Sequence, residues 1–211
     1  MTGVARCLAF ALLLAGAAHA DGIHGPDWPV LDHKTFDSKV VAPPPADLLA
    51  ELRQGRMVVF FRHASTPKQD EPTIRDFTTC GQQRLLHASG RDEAAAIGEA
   101  WRRLGIPVGR VLASPYCRCM DSARLAFGKA EATDTVRDSG QPEVARGYFA
   151  DPVPPGGNFV IVAHGGAMKL FGEEFLREGE AMVVRPRGEG RYDLVARVRA
   201  EDWAGFLLAA H

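Results

Sequence analysis

Arginine and histidine recur together where apolar runs of this chain end. Residues 57–61 are apolar and lead into Arg62-His63-Ala64-Ser65-Thr66. A short predicted strand at 110–114 leads into Ser114-Pro115-Tyr116-Cys117-Arg118, and an apolar run at 159–163 leads into His164-Gly165-Gly166. Continuous apolar runs of this kind fit strands buried on both faces. In open α/β sheets ligands bind at the carboxyl ends of the strands, so two arginines and two histidines are expected to converge on one volume. Guanidinium forks match phosphate oxygens. A helix starting near Arg118 would add backbone N–H donors that favour an anion. Each charged hydrogen bond is worth about 1.5–3 kcal/mol. Nearby positive charge lowers the pKa of His63 and keeps it neutral and nucleophilic near pH 7. A neutral imidazole can take a phosphoryl group in line, while His164 donates to its oxygens and the arginines neutralise the developing charge. That chemistry calls for no metal and no cofactor. Taken singly, each signal has a plainer meaning: His63 as a core histidine, Arg118 as a helix-surface charge, the glycine pair as a turn. Their recurrence at three strand ends decides for the anion site. Ser65, Thr66 and Gly165 flank it as candidate substrate-binding positions, with Thr66 either reaching the anion or capping its loop.

The elements that must position these residues alternate. A short helix is expected at 46–54, then the strand at 57–61 and a long loop at 64–88, of a length that is often functional. Ser89-Gly90-Arg91-Asp92 resembles a capping box. Ala94, Ile97, Trp101 and Leu104 follow at helical spacing, and Gly105 and Pro107 stop that helix. Tyr116, Met120, Ala123 and Phe127 form a second helical face closed by Gly128. Trp101 and Tyr116 read as core or pocket wall. Residues 129–157 read as irregular. A helix start is expected at 167–171, a hairpin of strands at 181–185 and 192–198, and a final helix at 201–210. Strands alternating with helices predict an α/β three-layer sandwich, with a mostly parallel central sheet and helices on both faces.

Composition bounds the remaining possibilities. The chain has 211 residues, 46% of them hydrophobic, with 25 Lys plus Arg against 26 Asp plus Glu. This is ordinary globular composition. Without a basic excess, nucleic acid is not an expected partner. Arg6, the apolar run 7–18 and Ala18-His19-Ala20 form a secretory signal peptide at 1–20. The run is too short to span a bilayer, which needs about 20 apolar residues, so no stable span is expected in the mature chain. Export, with a bacterial periplasm as the expected destination, places Cys80, Cys117 and Cys119 in an oxidising compartment. Cys117 and Cys119 lie two apart on an expected helix and point in different directions, so Cys80 should pair with one of them, with Cys117 preferred. A zinc site would need a fourth ligand such as His87 and the closer C-x-x-C spacing. Residues 21–45, rich in proline and glycine, form an extended arm ahead of a domain at 46–211.

Four motifs in order resemble the histidine phosphatase superfamily, which has the phosphoglycerate-mutase-like fold. Arg62-His63-Ala64-Ser65-Thr66 resembles its R-H-G-x-T signature, and Gly90-Arg91-Asp92-Glu93-Ala94 its G-R-x-Q-A helix. Ser114-Pro115-Tyr116-Cys117-Arg118, followed by Asp121-Ser122-Ala123, is similar to S-P-x-x-R-x-x-E-T-A. Val162-Ala163-His164-Gly165 is similar to the second-histidine motif. The resemblance covers most of residues 57–172. It implies that His63 is the phosphorylated nucleophile and that Arg62, Arg118 and His164 bind the phosphoryl group. It also implies an exported hydrolase acting on a phosphorylated small molecule or a cell-envelope phosphosugar, as periplasmic members do. The rival expectation is a weak or inactive protein that binds phosphate or a phosphosugar, or regulates, through the same pocket. The sequence departs from the pattern at Ala64, where glycine is usual, and at Ser65, where Glu, Gln or Asn is common. No motif marks the general acid. Gly165 and Gly166 stand where one branch of the family carries an Asp. The other branch takes a Glu from the segment before the second histidine, where Glu143 and Asp138 are the candidates, with Asp151 beside them. Glu71 and Asp70 of the first loop are further possibilities.

Overall fold

The computed structural model describes residues 47–137, 142–166 and 176–209. The predicted leader at 1–20, the arm at 21–45 and the helix start at 167–171 lie outside the described residues. The elements run α1 (Leu48–Gln54), β1 (Val58–Arg62), α2 (Ala88–Leu104), β2 (Val108–Ala113), α3 (Cys117–Phe127), β3 (Glu131–Ala132), a 3-10 turn (Asp134–Val136), α4 (Pro142–Ala150), β4 (Asn158–Ala163), β5 (Ala181–Gly188), β6 (Arg191–Val198) and α5 (Asp202–Ala209). One sheet takes the order β3-β2-β4-β1-β5-β6. Strands β1 to β4 are mutually parallel, and the β5–β6 hairpin joins β1 antiparallel.

The central strands β1 and β4 are almost wholly apolar because both of their faces are covered. Along β1 the side chains alternate between two cores. Val59 and Phe61 pack with Ile97, Trp101, Met120 and Trp203 of the helices on one side. Val58 and Phe60 pack with Ala145 and Phe149 of α4 on the other. Burying each such side chain is worth about 1.5–3 kcal/mol. The expected three layers follow, with α1, α2, α3 and α5 on one face and α4 with the 3-10 turn on the other. No helix among the described residues is long and apolar enough to cross a membrane.

The amino ends of the strands are closed by one side chain. Asn158 is fully buried, accepts the Met57 N–H through Oδ1 at 3.1 Å and donates through Nδ2 to the Leu52 and Pro107 carbonyls at 2.7 and 3.0 Å. It thereby ties the end of α1 to the starts of β1, β2 and β4.

Three expectations are corrected. Residues 129–157 contain β3, the 3-10 turn and α4. Pro142 opens α4, a first-turn position where its missing N–H costs nothing. Helix α2 begins one residue ahead of the expected capping box. His87 stands at its N-cap without a side-chain cap bond to the helix, and Ser89 lies in the first turn, 2.6 Å from His87 Nδ1. Strand β2 starts at Val108 rather than 110. The predicted stop of α2 holds: Gly105 takes φ 68°, a left-handed conformation that glycine adopts at no steric cost.

Candidate functional site

Strand ends, a helix start and the long loop build the site. His63 follows β1, and its backbone is held on both sides: its N–H reaches the Ala163 carbonyl at 2.9 Å, and its carbonyl accepts the Gly179 N–H at 3.0 Å. Its ring is buried, with 2% of the residue exposed. Nδ1 lies 2.9 Å from the Ala64 carbonyl oxygen. A carbonyl only accepts, so Nδ1 carries the proton and Nε2 presents its lone pair. Burial first, then the positive charges of Arg118 and Arg62, push the His63 pKa down to about 3, against the opposing Ala64 hydrogen bond and Glu178 charge. His63 is therefore a neutral imidazole at pH 7 with a defined tautomer.

Ala64 fits the position where glycine is usual. Among the described residues only Glu189 is a non-glycine with positive φ, so Ala64 has an ordinary backbone. Its side chain packs on Leu86 and Ala94, and its N–H donates to Ser122 Oγ at 2.9 Å. The next residue, Ser65, lies against Gly90 of α2 so closely that a Cβ on Gly90 would overlap the Ser65 carbonyl. Ser65 does not turn to the anion site through its hydroxyl. It donates that hydroxyl at 3.0 Å, and its N–H at 3.2 Å, to the Glu93 carboxylate. Burial raises the Glu93 pKa against these bonds.

Both predicted arginines carry a carboxylate. Arg62 donates to the Leu176 carbonyl at 2.8 Å and to Glu178 Oε1 at 3.2 Å. Thr66 donates its N–H and hydroxyl to the same Glu178 at 2.9 and 2.8 Å, so Thr66 caps its loop through a glutamate. Burial alone would raise the Glu178 pKa, but those bonds and the charge of Arg62 hold it below its ordinary value. Arg118, only 3% exposed, donates through Nη1 to Glu71. Its Nη2 lies 3.4 Å from His164 Nδ1. A guanidinium only donates, so His164 Nδ1 accepts and Nε2–H points to Ser114 Oγ at 2.9 Å. To donate to a phosphoryl group, His164 must take a second proton. Burial, then the charge of Arg118, push its pKa down to about 2, and a phosphate dianion would oppose that Coulomb contribution. Tyr116 walls this side, with the Arg118 guanidinium 4.4 Å from its ring centre and His164 edge-on at 4.8 Å. The His63 and His164 rings are 5.6 Å apart. Gly165 is buried directly after His164.

Sequence reasoning missed three residues here. Arg84 lowers the proton affinity of both Arg62 and His164, which places a third cation within reach of the site. Gln83 is buried and accepts the Cys117 N–H at 2.8 Å, taking a helix-start donor that had been assigned to an anion. Glu178 is the third. The disulfide supplies the signal for the first two: Cys80 and Cys117 are bonded, with Cα atoms 5.9 Å apart, so the residues following Cys80 are tethered beside Arg118. Cys119 remains a buried thiol, 3.6 Å from His164 Nε2. The Nε atoms of Arg62, Arg84 and Arg118 are all buried without a hydrogen-bond partner among the described residues. Of the acid candidates, Asp138 and the side chain of Glu143 lie outside the described residues, Asp70 and Asp151 are exposed, and Glu71 is in the site.

No family model matches the sequence, and no curated protein matches it. Solved structures do match. The protein histidine phosphatase SixA complexed with tungstate is 15% identical, with a TM-score of 0.52 over 69% of this chain and 98% of that one. The phosphoserine phosphatase of Entamoeba histolytica, in complex with 3-phosphoglyceric acid, is 12% identical with a TM-score of 0.46, covering 67% and 95%. The alpha-ribazole phosphatase of Shigella flexneri is 14% identical with a TM-score of 0.44, covering 66% and 95%. The likeness to SixA shows that the chain has the phosphoglycerate-mutase-like fold.

Proposed function

We propose that this protein is an exported phosphatase that hydrolyses a phosphomonoester through a phosphohistidine at His63. The observation that carries this reading is the His63 tautomer: Nδ1–H is committed to the Ala64 carbonyl, and the Nε2 lone pair is left among guanidinium groups. Nε2 attacks phosphorus, the ester oxygen leaves, and water then releases phosphate from the imidazole. Arg62 and Arg118, with Arg84 beside them, stabilise the charge on the transferring oxygens. The fold shared with SixA supports the reading.

Export rests on the leader at 1–20, and the Cys80–Cys117 bond supports an oxidising destination. The substrate class is then a phosphorylated small molecule or a cell-envelope phosphosugar, in the bacterial periplasm. The test is phosphate release from 4-nitrophenyl phosphate across pH 4–8, in chelator, by the wild type and His63→Ala. Release that disappears in His63→Ala is expected. Folded protein that binds phosphate and releases none would establish the binding-protein alternative.

A further inference from the structure

Cleaving a phosphate ester of an ordinary alcohol requires a proton on the leaving oxygen, and no sequence motif marks its source. Among the described residues two carboxylates reach Arg62 and Arg118. Glu178 is fully committed, since it accepts from Arg62 and from both donors of Thr66. Giving it a proton would cost the loop its cap. Glu71 is placed differently. Its two oxygens lie 2.9 and 3.0 Å from Arg118 Nη1, and Oε1 also accepts the Arg84 N–H at 2.7 Å. Oε2 therefore has a single bond, on the guanidinium that must hold the phosphoryl group. The Glu71 side chain is largely shielded from water, with 16% exposed.

Resting on the phosphatase reading above, we propose that Glu71 is the general acid and base of the reaction. When phosphoryl oxygens take over Arg118, Oε2 of Glu71 is released from its single bond and stands beside the oxygens of the transferring group. The charged group on it is Arg118 from α3, with His164 at the end of β4 on the far side of Arg118, while Arg84 meets it through its backbone N–H. In the first step the His63 Nε2 lone pair forms the bond to phosphorus and the P–O bond breaks. The leaving oxygen takes the Glu71 proton, which gives the free alcohol and the carboxylate. In the second step Glu71 takes a proton from water as its oxygen attacks phosphorus. The P–N bond breaks, its electron pair returns to Nε2, and inorganic phosphate departs. The carboxyl is then protonated again.

The test compares kcat/KM of wild type, Glu71→Gln and Glu71→Asp on 4-nitrophenyl phosphate and on an alkyl phosphate. This ratio reports the first step, and nitrophenolate leaves without a proton. For Glu71→Gln we expect kcat/KM on the aryl ester within about threefold of wild type and a loss of about 10²-fold or more on the alkyl ester. Its kcat on the aryl ester should also fall, because the second step loses its base. Glu71→Asp should recover part of the alkyl activity, and it carries the test if the Gln variant fails to fold. Equal losses on both esters would make Glu71 a support for Arg118 and overturn the proposal. Gains on both would make it a plug of the phosphate cradle and equally overturn it. If wild type and His63→Ala are alike on both esters, the phosphatase reading itself fails, and this proposal with it.

Discussion

The two ends of the central strands solve opposite problems. At the amino ends Asn158 is buried with its amide fully used, closing α1, β1, β2 and β4 on one another. At the carboxyl ends three guanidinium groups keep buried Nε donors without partners among the described residues, and two buried imidazoles are held neutral. A buried unsatisfied donor costs about 1–3 kcal/mol, so the carboxyl end stores a deficit that the amino end and the two cores offset. Unpaired buried N–H groups do not by themselves mark chemistry, since Trp101 and Trp203 also carry them in the core among the described residues; at the carboxyl ends they stand together with two neutral imidazoles, and that combination teaches where to look.

Substitutions at the two ends should separate stability from activity. Arg118→Ala should lower kcat/KM on 4-nitrophenyl phosphate by about 10²–10³-fold, as loss of a transition-state donor does, with melting temperature changed far less. A melting loss that accounts for the lost activity would break the contrast. Asn158→Ala should do the reverse. It strands the Met57 N–H, costs about 2–4 kcal/mol in urea unfolding, and leaves kcat of the folded fraction unchanged.

Acid should act on the carboxyl end through its two histidines. Unfolded histidine takes a proton near pH 6.5, whereas His63 and His164 resist until about 3 and about 2. Below pH 6.5 the unfolded chain therefore binds more protons, and stability falls as pH is lowered, by up to roughly 1.4 kcal/mol per pH unit for each histidine. Thermal melts from pH 7 to 5 should show this slope, and His63→Gln should flatten it. A slope unchanged in that variant would mean the imidazole is not held neutral. The smallest effect belongs to Glu93→Gln, which keeps an acceptor for the Ser65 N–H and removes a charge that burial disfavours. Its stability should change by less than about 1 kcal/mol in urea unfolding.

Much of this arrangement is legible in the sequence because its causes are local. Apolar runs name β1 and β4, helical spacing names the buried face of α2, and the arginines and histidines stand at strand ends. What is illegible arises from chain-distant pairing. Glu178 reaches Arg62 and Thr66 because β5 runs antiparallel beside β1, with Ala181 opposite Phe61, and no spacing rule announces that register. The Glu180–Arg197 ion pair that steadies the start of β5 is hidden for the same reason. Strand β3 has only the exposed residues Glu131 and Ala132, so it leaves no apolar pattern to read. Arg84 is one charge in a loop until the disulfide is known.

That disulfide ties the geometry of the candidate site to the choice between two cysteines. Cys119 stands two residues past Cys117, about 200° further around α3, on the side where it meets His164. An isomer bonded through Cys119 would carry the loop to the wrong side of the helix and take Glu71 and Arg84 away from Arg118. Two products of equal mass and equal thiol count would then differ in activity, so the specific activity of a preparation would measure how faithfully its host chose between neighbouring cysteines.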